Sequence, residues 1–496
     1  MTIEAESDFE GTVSLSGNNS YQGDIILRGG TIAIIGSGRL GSGNFSGDID
    51  LGSGANTGIF KQNSTSDQTL SGDITGTGSL VKDNSGTLTL TGNNTYSGGT
   101  TLTGSGTLVI AGVTSAGTGA IVQSDANSIL RFDTTGTITN NMTLYNFESL
   151  RNVTLSGDIN AQDATYKIAT GKDTILSGNI TGTGKLSQVG ADDANYRGTL
   201  TLTGDNDFEG DTEVDSVLNV GSATALSAQS KLKVNNGGTV KLNGFDSTVA
   251  GLEGNGTIQG SAALTAGDEN DATFSGILQD GTGALAFTKQ GSGTQTLTGT
   301  NTYSGTTTVS AGILEIAGSG SINAASALSI GADGILCFNT SADQNLDGVI
   351  TGSGDLVKQG TGQLTITGAN SFTGKATIES GLVVLNSSGT AITGDSDIST
   401  ADVIVSGGTL RLDADEQLAD DVDISITGGE FSLNGATESI DGLSNSGGVF
   451  STGIGGTLNV LGNTVTWSGG TNTINDAATL ADSHWAVSGG TNTVEG

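Results

Sequence analysis

An all-β solenoid of about 20 residues per coil is the fold class that this sequence predicts, and three observations carry it. The phrase Gly-x-Asn-x-(Tyr or Phe)-x-Gly occurs five times. Short stretches of period-two alternation flank each occurrence, such as Leu88 and Leu90 before one and Leu108 and Ile110 after it. Ser or Thr followed by Gly-Gly recurs in the last quarter at Ser406, Thr427, Ser446, Ser468 and Ser488, at intervals of 21, 19, 22 and 20 residues. Alternation with period two means strands buried on one face, and a fixed short repeat of strands and Gly-rich corners means one coil stacked on the next.

Composition agrees. The chain has 496 residues, 83 Gly and no Pro, where an average chain would carry roughly two dozen Pro. A turn-rich chain without Pro keeps every backbone N–H for sheet pairing. With 4% aromatic and 34% hydrophobic residues, a thin elongated core is expected rather than several thick ones. Coils spaced at the ~4.8 Å of a sheet would give about 24 coils and a rod on the order of 115 Å.

The five phrases read Gly17, Asn19, Tyr21, Gly23; Gly92, Asn94, Tyr96, Gly98; Gly204, Asn206, Phe208, Gly210; Gly299, Asn301, Tyr303, Gly305; and Gly368, Asn370, Phe372, Gly374. Each is expected to be a corner between strands, with Gly supplying positive φ, Asn tolerating the left-handed region, and the aromatic folding over the open edge of the core. Gly, Asn and an aromatic ring offer no acid, base or nucleophile, so the phrase reads as structural.

In chain order, residues 1 to about 70 hold one short copy, with strands around Val13, Leu15 and Ile32, Ile34. Long copies follow at about 70–110, 176–220, 274–316 and 346–385, the second with a small insertion from Ala191 to Tyr196. Residues 1–390 thus form a repeat-bearing solenoid, and 391–496 continue it with the Gly-Gly period. The stretch from Asp413 to Asp423 is the one segment rich enough in helix formers to form a turn or two of helix.

Charge and cysteine content exclude several roles. Seventeen Lys and Arg against 51 Asp and Glu give a net charge of −34, which repels nucleic acid and anionic lipid. Cys337 is the single cysteine, in the apolar run Ile335–Phe338, and reads as a buried structural residue. No apolar run approaches the ~20 residues of a membrane helix, so this segment is not expected to insert in a membrane. The first residues lack the basic and apolar segments of a secretory signal, and an excised piece of a longer protein is the expectation.

The long copies resemble a known family. The run from Gly76 to Leu102, GTGSLVKDNSGTLTLTGNNTYSGGTTL, and its counterpart from Gly352 to Ile378 are similar to the passenger-associated repeat of bacterial autotransporters. That resemblance implies a right-handed parallel β-helix, carried through the outer membrane by a carboxy-terminal barrel and displayed on, or released from, a Gram-negative surface. It implies a scaffold shared by adhesins, toxins and enzymes alike.

Candidates for chemistry are few. The third copy places Asp205, Asp207, Glu209, Asp211 and Glu213 at alternate positions with Gly210 among them, partly imitating a calcium loop, but Ser216 stands where a bidentate Glu belongs; a solvated acidic strand is the plainer reading. His484, the single histidine, has no nucleophile motif beside it. Arg131, Arg151 and Arg411 are too scattered to outline a glycan-cleaving site. The outward triplets Thr87, Thr89, Thr91 and Thr199, Thr201, Thr203 suit flat ladders of the ice-binding kind and equally an ordinary solvated strand. The expected function is a non-enzymatic adhesin-like or spacer scaffold without cofactor, whose partners are surface proteins or glycans of a host or neighbouring cell. The alternatives are a subunit that self-associates end to end, and a β-helix carbohydrate-active enzyme.

Overall fold

A computed structural model describes residues 3–5, 10–54, 56–190, 193–394, 401–462, 464–474, 480–481 and 484–494. The described residues form short strands with one 3-10 turn, Gly41–Gly43, and no α-helix. The ladders run parallel, apart from a small antiparallel pair, Gly52–Ser53 with Asn56–Thr57. The protein is a β-solenoid of roughly 20 residues per turn.

The chain divides into two compact units, Met1–Val249 and Ala250–Gly496. In the first, Gln68–Leu70 pairs with Thr87–Leu90, then Thr107–Ile110, then Ile129–Phe132, so that Leu70, Leu90, Ile110 and Phe132 lie one above another. Their spacings of 20, 20 and 22 residues set the coil length. A second side of the same coils runs from Ser79–Asp83 to Thr100–Leu102 to Ile121–Gln123. The short third side carries the corner phrase. The second unit repeats the design: Gln344–Leu346, Gln363–Ile366, Leu382–Leu385, Thr409–Leu412, Glu430–Ser432 and Val449–Ser451 pair in succession.

Alternation sends every second residue inward. Thr87–Leu90 buries Leu88 and Leu90 completely and leaves Thr87 and Thr89 part-exposed, the orientation expected from the sequence. Each buried Leu, Ile, Val or Phe contributes about 1.5–3 kcal/mol, and stacking identical positions keeps the thin core continuous. Thr89 is flanked in register by Thr69 and Val109, so that face is not a pure threonine ladder.

The segment 413–423 is not helical, contrary to the sequence expectation; it is a series of bends with Leu418 bridged in parallel to Ile392. Its backbone donors are used across coils. Glu438, fully buried, accepts N–H bonds from Gln417 and Leu418 at 2.8 and 3.3 Å, and the buried Gln417 amide bonds both the N–H and the carbonyl of Ser387. Helix formers lose here because neighbouring coils supply better partners than the segment itself.

Candidate functional site

The corner phrase is a clamp between coils. Asn94 Oδ1 accepts the Ile74 N–H at 2.8 Å from the coil before, and its Nδ2 donates to the Ser115 carbonyl at 2.6 Å in the coil after. Asn206 does the same with Ile180 and Ala225, Asn301 with Leu278 and Ser321, and Asn370 with Ile350 and Ala391. Asn19 donates to the Arg39 carbonyl at 3.1 Å. The carboxamide is the one small side chain that both donates and accepts at this reach, which is why Asn holds the position.

Two details of the expected corner chemistry are corrected. None of these asparagines, nor the glycines at the ends of the phrases, has a positive φ. Glycine is needed for close approach instead: a Cβ on Gly92 would lie 2.1 Å from the Gly72 carbonyl oxygen, and one on Gly98 would lie 2.4 Å from that of Gly78. The aromatics Tyr96, Phe208, Tyr303 and Phe372 are wholly buried members of the core rather than lids on its edge; Tyr21 is only part-buried and donates its hydroxyl to the Asp24 carbonyl.

Three interior lysines were not anticipated. Lys82, Lys289 and Lys358 are at most 2% exposed, and their ammonium groups donate to backbone carbonyls of the adjoining corner. Glycines of the next coil leave room for them: a Cβ on Gly106, Gly312 or Gly381 would meet the respective Nζ at 2.4–2.8 Å. Burial pulls Lys82 down to about 8 and lowers the other two. Parity alone marks them, because Lys82 shares the inward face with Leu80 in the strand Ser79–Asp83.

The acidic run lies on an outer face and, contrary to the sequence expectation, is a corner rather than a strand: of its members only Glu213 falls in a strand, Thr212–Val214. Asp205, Asp207, Glu209 and Asp211 are exposed, alternating with buried Asn206, Phe208 and Thr212. Glu213 is engaged by Lys233 and Lys185 at 3.2 and 3.4 Å and by the Ser187 hydroxyl at 3.1 Å. Burial pushes the Glu213 carboxyl up, and the bonds from Lys233 and Ser187 with the charge of Lys185 outweigh it, holding the carboxyl below its ordinary value. Among the described residues, no three His, Cys, Asp or Glu side chains gather where a metal ion could be held.

The scattered arginines are paired: Arg131 with Glu148 at 2.6 Å, Arg151 with Asp133 at 2.8 Å, and Arg411 with Asp413 at 2.7 Å. Cys337 is buried, and burial together with Glu315 and Glu379 pushes its thiol up to about 12, an inert setting. His484 and Trp485 belong to the strand His484–Val487, and their side chains lie outside the described residues.

An opening forms where corner lengths change abruptly. Between Leu186–Val189 and Thr199–Leu202 the corner has nine residues, 190–198; in the next coil, between Thr212–Val214 and Val217–Val220, it has two; in the one after, before Thr239–Lys241, it has four. These strands stack in register, so the two-residue corner falls between corners of nine and four residues and leaves a notch. The notch has a volume of about 550 Å³, with Asp215, Ser216 and Val217 as its floor, Arg197 on one wall, and Asn235, Asn236 and Gly237 on the other. The long corner is braced backward, toward the preceding coil: Thr170 N–H donates to the Asn195 carbonyl at 2.9 Å and Thr170 Oγ1 to that of Ala194 at 2.6 Å. Sequence reading noted the insertion but not the two-residue corner beside it, which is visible only once strands are placed in register.

Comparison with known proteins follows the repeats. The passenger-associated-transport-repeat family matches residues 10–34, 80–110, 197–216, 287–316 and 356–385. An adhesin of Brucella suis biovar 1 (strain 1330), the BmaC autotransporter, is 28% identical over 386 residues, a match covering 67% of this chain and 11% of that protein. The chain thus spans about a tenth of the length of the curated relative it matches.

Proposed function

We propose that this chain, an autotransporter passenger segment built from the passenger-associated transport repeat, is a non-enzymatic scaffold that displays binding surfaces outside a Gram-negative cell. The observation that carries this reading is the Asn clamp. Four of the five corner asparagines bond the coil before and the coil after, so these four corners tie the stack together rather than framing a reaction centre. Support also comes from the relative named as an adhesin, and from a net charge of −34 that keeps the outer faces hydrated. No helix among the described residues is long and apolar enough to cross a membrane.

The partners this role calls for are proteins or glycans on a host or neighbouring cell. Purified chain, labelled at Cys337-independent sites, is titrated onto epithelial cells and onto immobilised extracellular-matrix protein. Saturable retention supports the reading. Uniform absence of retention across both surfaces removes the adhesin-like role and leaves a spacer. A dilution series in light scattering tests end-to-end self-association, whose sign is a particle that lengthens with concentration.

A further inference from the structure

Resting on the binding role proposed above, the geometry points to the notch over Asp215–Val217 as a site for a neutral oligosaccharide. Its lining is mixed, with more polar than apolar surface: a guanidinium, a carboxylate, a hydroxyl and two carboxamides supply the polar groups, and Val217 is the single apolar side chain beside their carbon stems. A carbohydrate hydroxyl both donates and accepts, and planar side chains such as Arg, Asp and Asn engage neighbouring hydroxyls in pairs.

Part of this set is already oriented. Asn235 Nδ2 donates to Asp215 Oδ1 at 2.6 Å, leaving the other carboxylate oxygen and the Asn235 carbonyl directed by that bond. Ser216, 6% exposed, is anchored through its hydroxyl to the Gly198 carbonyl at 3.2 Å. The floor is therefore rigid before a ligand arrives, which lowers the ordering cost of binding.

Other ligand classes fit less well. A phosphorylated or sulfated group would meet the Asp215 carboxylate on the floor in a protein of net charge −34. An extended peptide would seek a free ladder, but Val217–Val220 is paired on both sides, to Thr199–Leu202 and to Thr239–Lys241. A wholly apolar anchor would leave the carboxylate, guanidinium and carboxamides of the lining without partners. The opening of about 550 Å³ has room for two or three sugar rings.

The test is titration calorimetry of the whole chain with cellotetraose, maltotetraose, xylotetraose and chitotetraose, and with tetragalacturonate as the charged counterpart. At least one neutral tetraose binds, and Asn236→Ala and Asp215→Ala each weaken it ten-fold or more, while Asp207→Ala in the acidic corner leaves it unchanged. Asn236 is exposed on the rim, so its variant reports on binding without disturbing the fold even if Asp215→Ala does. Absence of binding by every neutral tetraose, binding of tetragalacturonate alone, or affinity unchanged in Asn236→Ala overturns the assignment. Cell retention of the unaltered chain separates the two ideas. Retention without tetraose binding sinks the notch and keeps the surface role, and tetraose binding lost in Asn236→Ala without retention does the reverse.

Discussion

The hydroxyl of Tyr303 lies 2.6 Å from the hydroxyl of Thr307, four residues on, and both side chains are almost wholly buried. Tyr96 and Thr100 repeat the pair at 2.5 Å. Where the corner carries Phe372 the partner position is Ala376, so the chain itself contains the apolar version of the same contact. Phe208 is followed by Thr212, whose hydroxyl has found Ser230 at 3.0 Å instead.

A mutant cycle follows from that pattern. Thr307→Ala leaves the Tyr303 hydroxyl buried without its partner and is expected to cost about 1–3 kcal/mol, and Tyr303→Phe strands the threonine hydroxyl at a similar cost. The double variant recreates the Phe372/Ala376 pair and should be less destabilised than the sum of the singles. Urea unfolding measures all three, and strict additivity would show that the hydroxyl pair contributes nothing of its own.

Glycine at the corner is tested by contrast between two copies. Gly92→Ala places a methyl 2.1 Å from the Gly72 carbonyl oxygen and must push two coils apart, at about 1–3 kcal/mol or more. Gly17→Ala meets no atom within 4 Å at a φ that any residue can adopt, and should stay within about 0.5 kcal/mol of the parent. Equal losses at both sites would return the explanation to backbone flexibility.

Stability should fall between about pH 5 and pH 8 through Glu438. Burial pushes its carboxyl up to about 8 against the N–H bonds it accepts, so the folded state holds the proton over a range where the unfolded chain, at 4.5, has released it. The contribution is complete below the unfolded value and is lost as pH rises through the folded one. Asp423, raised to about 6 by burial and by Asp441 and Asp402, adds a smaller loss of the same sign at lower pH. Thermal melts of the parent and Glu438→Gln across this range check it: the variant should show a flatter profile, with a difference on the order of a few kcal/mol at most.

Calcium titration decides the reading of the acidic run from Asp205 to Glu213. With Asp205, Asp207, Glu209 and Asp211 exposed and Glu213 held by Lys185 and Lys233, millimolar calcium is expected to leave the melting temperature unchanged. A rise that Asp207→Asn abolishes would make the run a calcium site after all.

Much of this fold was legible along the chain because a solenoid is nearly one-dimensional: each coil touches its neighbours, so a 20-residue spacing in sequence becomes a single step in space. Inward Leu88 and Leu90, outward Thr87 and Thr89, and the corner at Asn94 follow from local parity and repetition. What the tertiary structure decided depends on which residues of successive coils come face to face. Gly92 is glycine because of the Gly72 carbonyl above it, the chain at Leu418 is not helical because Glu438 takes its N–H, and Lys82 has its place inside because Gly106 leaves room. The notch at Asp215 likewise exists only because register sets a two-residue corner between corners of nine and four. Periodicity names the coil; only the stacking of one coil on another determines how close two backbones come and which polar groups find partners.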